Sequence, residues 1–193
     1  WKEDGHGEVN LHKAIVESSD VYFYELASKL TIDKISNFLS LFYFGKNTGI
    51  DLMSESPSVL PDRNWKLGNI GETWFIGDTV NIGIGQGYIT VTPLQLASSI
   101  SAIATRGKIF KPQLVERLGD QSISPELLFS IELNKEEHWE TIERSMISVI
   151  KSWNGTAHNL YKKGGISVAG KTGTAQIKSL IDQDLTVKEE YEG

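Results

Sequence analysis

The stretch that most constrains the fold lies near the end of the sequence. Ile166-Ser-Val-Ala169 alternates and runs into Gly170-Lys171-Thr172-Gly173-Thr174-Ala175-Gln176, the period-2 pattern of a β-strand. Gly164-Gly165 supplies a turn just ahead of it. Ile109 to Leu118 suits extended chain, but no other segment reads as a clear strand. One strand makes no sheet. The sheet is therefore expected to be completed by residues beyond these 193.

The rest of the pattern is helical. Residues 1–10 are polar and read as loop; from Leu11 the apolar spacing becomes helical through Ala14 and Ile15, then pauses at Ser18-Ser19-Asp20. It resumes through Val21, Tyr24 and Leu30, with Asp20 as the expected N-cap. A further helix is expected over residues 33–43, ended by Gly45. Residues 54–88 hold Pro57, Pro61, Trp65, Trp74 and many glycines, and predict mostly irregular chain whose aromatics fill a core. Thr92-Pro93-Leu94-Gln95 is a capping box with proline at the first helical position. Leu94, Ala97, Ile100, Ile103 and Ala104 form the expected buried stripe, and Gly107 the stop. A second strong helix spans about Lys135 to Lys151, with Trp139, Ile142, Met146, Val149 and Ile150 on one side. After Leu185 the sequence turns polar and acidic.

A chain of 193 residues without repeats or linkers is about one domain. A net charge of −6 argues against a nucleic-acid groove. The lack of cysteine removes disulfides, thiolate metal sites and a cysteine nucleophile. No apolar run approaches the ~18–20 residues of a membrane-spanning helix. The sequence opens on Trp1 without a basic-then-apolar leader, and reads as an interior piece of something longer.

Lys171-Thr172-Gly173-Thr174 is the most informative string; a chain of this length matches it by chance roughly once in several hundred. On a strand, Lys171 and Thr172 would point to opposite faces. Gly173 would let a ligand lie against the backbone as an added strand. The Thr174 N–H could face a developing oxyanion. Taken alone, the string also fits a sheet edge defended by a lysine. Ser18-Ser19-Asp20 in isolation fits a break between helices, and gains weight only when paired with Lys171. That pairing predicts an ammonium and an alcohol 153 positions apart meeting across one crevice.

A serine-x-Asn/Asp triplet between helices, followed far downstream by Lys-Thr-Gly on a strand, resembles the penicillin-recognising serine enzymes. The class B penicillin-binding transpeptidases are more similar still. Gly83-Ile-Gly-Gln-Gly-Tyr88, Thr92-Pro-Leu-Gln-Leu-Ala97, Asn154-Gly-Thr-Ala157 and Lys171-Thr-Gly-Thr-Ala-Gln176 all look like that class. Trp1 to Asn10, Ser18-Ser-Asp-Val-Tyr-Phe-Tyr24 and Thr48-Gly-Ile-Asp51 resemble its elongation-specific branch, the penicillin-binding protein 2 type.

The resemblance implies an α/β (α+β) fold, an antiparallel sheet flanked by helices, with residues 1–193 a partial transpeptidase domain. Its implied activity is serine acyl transfer on D-Ala-D-Ala stem peptides of peptidoglycan, with β-lactams acylating the same serine. Ser18 resembles the hydroxyl that relays a proton, and Lys171 the cation that tunes it and attracts the terminal carboxylate. Thr172 and Thr174 resemble the hydroxyls that bind this carboxylate, with Gly173 between them and the Thr174 amide half of the oxyanion hole. Asp20 stands where the wider family more often has Asn. No metal or organic cofactor is implied. A SEDS-type glycosyltransferase, the elongation machinery and a periplasmic location anchored to the inner membrane come with the resemblance alone.

The departure from the pattern concerns the nucleophile. The family carries it in a Ser-x-x-Lys motif ahead of the Ser-x-Asn motif, and none of the seventeen residues before Ser18 forms one. Ser148-Val-Ile-Lys151 has the spacing but the wrong order, and lies about 180° from Trp139 on its helix, on the expected solvated side. The acyl-accepting serine and its lysine base are thus expected outside this sequence. A non-catalytic sensor of stem peptides or β-lactams is the alternative, and a β-lactamase a third reading without a convincing deacylating base. Gly83 to Gly87 is not a dinucleotide fingerprint, His6 reads as a loop histidine, and Asn154-Gly-Thr156 carries no weight as a glycosylation site.

Overall fold

Asn10 opens the first helix: its side chain accepts the Lys13 N–H at 2.9 Å, satisfying one of the donors that every helix start leaves unpaired. The structure, a computed structural model, describes residues 5–175. Trp1, Gln176 and the acidic tail after Leu185 lie outside the described residues. Helix α1 (Leu11–Val16) is followed by α2 (Asp20–Leu30), α3 (Ile32–Leu39) with a 3-10 turn Ser40–Phe42, α4 (Arg63–Ile70), α5 (Ile76–Gly83) and α6 (Pro93–Ala104). Strands β1 (Lys108–Phe110), β2 (Arg117–Leu118), β3 (Gln121–Ser122) and β4 (Leu127–Ser130) precede α7 (Glu137–Lys151) and a 3-10 turn His158–Leu160. Strands β1 and β4 pair antiparallel with a register shift after Ile109, and β2–β3 is a separate tight hairpin.

Two clusters hold these elements together. Phe42, Ala102, Ile109, Ile131 and Trp139 form one buried core, joining the end of α3 to α6, β1 and α7. The second lies where α1 meets α7: Ala14, Ile15 and Val16 are buried, as are Met146, Val149 and Ile150. His12 Nδ1 and Ser145 Oγ lie 3.0 Å apart across that contact. Helix α7 therefore buries the stripe expected of it, with Ile142 half-buried.

Several expectations fail, each for a local reason. The chain over 54–88 contains two helices rather than irregular structure: Asp62 caps α4 by accepting the Trp65 N–H at 2.7 Å. Asp78 accepts the Phe75 N–H at 2.8 Å and caps α5. Gly83 serves packing, because a Cβ there would stand 2.5 Å from Ala27 Cβ. Helix α2 accordingly buries Ala27 against α5, while Val21 and Leu30 are exposed. Asp20 is the first residue of α2 and Ser19 its N-cap. Helix α3 stops at Leu39, and the turn after it ends on left-handed Tyr43, two residues before Gly45.

On α6 the capping box forms as expected, but the buried face is Gln95, Ser99 and Ala102. Ala97, Ile100 and Ala104 are exposed, and Leu94 and Ile103 half-buried. The Gln95 amide donates to the carbonyls of Tyr43, Lys46 and Pro57 at 3.1, 2.8 and 2.9 Å. Pinning a loop's orphan carbonyls outweighs burying an apolar stripe here. Between Ile109 and Leu118 only the ends are strand. Residues 166–174 are in no helix or strand: they have no partner strand among the described residues, and a strand exists only as part of a ladder.

Candidate functional site

The junction between α1 and α2 places Ser18 in a left-handed backbone conformation, φ 54°. For a residue with a Cβ this costs about 1–2 kcal/mol, and it persists only where the surroundings over-determine it. Here they do. Ser19 is buried and its N–H donates to Ala14 O at 2.9 Å. From the other side, the turn after α7 reaches across: Thr156 N–H donates to Val16 O at 3.2 Å and Asn154 Nδ2 to Glu17 Oε1 at 2.9 Å.

Gly170 N–H donates to Met146 O at 3.1 Å and sets the following segment beside α7. Lys171 then reaches Ser18: Nζ to Oγ is 2.8 Å. Its ammonium also donates to Thr172 O at 2.9 Å and approaches Thr172 Oγ1 at 3.4 Å. All three lysine protons thus have acceptors. Lys171 and Thr172 do not point to opposite faces as expected; without a ladder to impose the pleat, the lysine folds back over its neighbour.

These side chains border one cleft of about 670 Å³ whose walls include Ser18, Asp20, Thr156, Lys171, Thr172 and Thr174. Partial burial pushes the Lys171 pKa below the ordinary lysine value, and the negative charge of Asp20 opposes that shift. Gly173 has nothing within 4 Å of where its Cβ would stand, so the backbone there is open to a ligand. The arrangement offers a hydroxyl with a cationic partner, further hydroxyls and a bare backbone edge. That is a site for a carboxylate-bearing peptide and for passing a proton.

Every candidate residue named from the sequence borders this cleft: Ser18, Asp20, Lys171, Thr172, Gly173 and Thr174. Two polar side chains of the wall were missed, along with the apolar Phe23 and Ile84 and the backbone of Gly83. Thr156 Oγ1 lies 2.8 Å from Thr172 Oγ1, and Gln86 Nε2 donates to Thr174 O at 2.7 Å. Their signal was the pair of strings around Asn154 and Gly83, which carry no chemistry until folded. Ser148 is half-buried rather than solvated and does not border the cleft. His6 lies in a loop, 4.0 Å from Glu17, and no cluster that could hold a metal occurs among the described residues.

A family model described as the penicillin binding protein transpeptidase domain matches residues 1–189. The chain belongs to that family. The peptidoglycan D,D-transpeptidase MrdA of Haemophilus influenzae is 40% identical over 188 residues, 95% of this chain and 29% of that protein. A crystal structure of Pseudomonas aeruginosa PBP2 in complex with WCK 5153 superposes with a TM-score of 0.84 at 36% identity, over 92% of this chain and 40% of that one. PBP2 of Helicobacter pylori, solved in complex with MreC, gives 0.81 at 36% identity, over 92% of this chain and 32% of that one. The kinship is with the PBP2/MrdA, elongation-type transpeptidases. The fold is accordingly the α/β transpeptidase fold, an antiparallel sheet flanked by helices. The chain spans between 27% and 30% of the length of the MrdA relatives it matches.

Proposed function

We propose that residues 1–193 are part of a transpeptidase domain in a peptidoglycan D,D-transpeptidase, cross-linking stem peptides by serine acyl transfer. One observation carries the reading: Lys171 Nζ lies 2.8 Å from Ser18 Oγ in a cleft rimmed by threonine hydroxyls. A serine from a segment outside this sequence attacks the carbonyl between the two D-alanines. The C–O bond forms first, giving a tetrahedral oxyanion; the C–N bond then breaks, and the terminal D-Ala leaves with the attacking serine's proton, relayed through the Ser18 hydroxyl. Lys171 attracts the terminal carboxylate, Thr172 and Thr174 bind it, and the Thr174 N–H helps hold the oxyanion. An amine of a neighbouring stem then takes the acyl group and frees the serine. β-Lactams acylate the same serine.

Asp20, a carboxylate that can only accept, acts here through charge. By the same kinship the partners are the elongation machinery, including an MreC-like protein and a SEDS-type glycosyltransferase. The location is periplasmic, with an inner-membrane anchor outside this sequence; no helix among the described residues is long and apolar enough to cross a membrane.

Fluorescent penicillin tests the reading. The full-length protein should be labelled stoichiometrically at a serine outside these 193 residues, and the 193-residue chain alone should not. Labelling at Ser18 or Ser148 would overturn the placement of the nucleophile. An unlabelled full-length protein would leave a non-catalytic sensor.

The pH profile gives a second check. Carboxylate attraction needs the Lys171 ammonium, so acylation falls as pH rises through its pKa. Burial puts that alkaline limb below the ordinary lysine value, and Asp20 holds it up. Asp20→Asn removes the opposing charge and should move the limb to lower pH. A limb that stays put, or moves up, removes Asp20 from the electrostatics.

A further inference from the structure

Lys66 is the largest fully buried side chain among the described residues, 1% exposed, and the acyl-transfer chemistry does not use it. From α4 its ammonium reaches Asp78 Oδ2 at 2.8 Å and Glu72 Oε2 at 3.4 Å. The Phe75 and Tyr88 rings close over it, their centroids 4.7 and 5.5 Å away. Burial alone would push the ammonium toward neutrality; the hydrogen bond and charge of Asp78, joined by Tyr88 and the Glu72 hydrogen bond, outweigh it and raise its pKa. A buried ion pair is weak evidence of a stabilising role, because apolar groups of the same volume often replace one without loss. Fixed geometry is the better-attested use.

The geometry it fixes leads to the cleft. The Asp78 oxygen that binds Lys66 also accepts the Phe75 N–H at 2.8 Å, so one ammonium anchors the start of α5. Tyr88 is held against the same ammonium and against Trp65, ring centroids 5.6 Å apart. Between these two anchors, α5 ends in a turn with Gly85 and Gly87 at φ 74° and 81°. Gln86 N–H donates to Asn81 O at 3.0 Å, and its side chain projects from this turn to Thr174 O. We propose that Lys66 is a positioning residue that sets, through Asp78 and Tyr88, the turn from which Gln86 holds the Thr174 carbonyl, and through it the orientation of the Thr174 backbone. The inference rests on the acyl-transfer reading, since Thr174 matters only if its N–H faces the reacting carbonyl.

The test is a double-mutant cycle on the full-length protein, reading the second-order rate of acylation by fluorescent penicillin. Gln86→Ala should slow acylation about tenfold, the worth of one positioning hydrogen bond. Lys66→Met should slow it to a similar degree, and in the Gln86→Ala background should add less than about twofold. A merely structural lysine would lower the melting temperature and multiply its loss with that of Gln86→Ala, which overturns the proposal. Unchanged acylation in Lys66→Met, or faster acylation in Gln86→Ala, overturns it too. Should Lys66→Met not fold, Tyr88→Leu in both backgrounds supplies the same cycle, read in the same way. A wild-type protein that takes no label at all overturns the acyl-transfer reading itself, and this proposal with it.

Discussion

Lys171→Ala in the full-length protein should lower the rate of acylation by penicillin about 10²–10⁴-fold, the scale set by loss of a positioned proton-transfer group and its charge. The side chain makes three polar contacts, to Ser18 Oγ, Thr172 O and Thr172 Oγ1. Truncation leaves the Ser18 hydroxyl without its cationic donor and the incoming carboxylate without a countercharge. The contact to Thr172 Oγ1, 3.4 Å, is the longest and the one a carboxylate displaces at least cost. Folding should hardly notice, because Lys171 sits at the rim of the cleft and is only partly covered, and surface substitutions generally stay within about 0.5 kcal/mol. Stopped-flow acylation kinetics with a melting curve separates the two effects. A rate within a factor of about ten of wild type would remove Lys171 from the proton relay.

Gly155→Ala should damage fold and site together. A Cβ at Gly155 would collide with the carbonyl oxygens of Val149 and Ser148, the latter at 2.7 Å. Neither oxygen can yield easily: Val149 O accepts the Ala157 N–H and Ser148 O the Ser152 N–H, at 3.1 and 3.0 Å. The turn must instead lift off α7, at a cost of about 1–3 kcal/mol for overpacking. With it go the hydrogen bonds from Thr156 N to Val16 O and from Asn154 Nδ2 to Glu17, and the Thr156–Thr172 contact. Denaturant unfolding should show that loss, and acylation should fall at least about tenfold. Wild-type acylation in a protein destabilised by this change would show that the turn braces the fold but not the cleft.

How legible this was differs between fold and site. Capping chemistry is local, so Thr92-Pro93-Leu94-Gln95 announced α6 and the apolar spacing announced α7. What α6 buries was not legible, because Gln95 is buried by three carbonyls of a loop far away in sequence. Helices α4 and α5 hid behind glycine and proline punctuation: Gly77 and Gly83 lie inside α5, and the cap at Asp62 carries no apolar repeat beside it. Ser18 and Lys171 were legible only as a pair. Gln86, Thr156 and Lys66 were not, since hydrogen-bonding amides, hydroxyls and lysines read as solvated until their neighbours are known.

The Asn154–Glu17 tie has a kinetic corollary. Glu17 is 6% exposed, behind the wall that carries Ser18. On the acyl-transfer reading, part of what decides how fast an inhibitor reacts is stored where no inhibitor reaches. On that reading, a substitution at Glu17 changes the rate by loosening the wall behind Ser18, without removing any contact to the inhibitor.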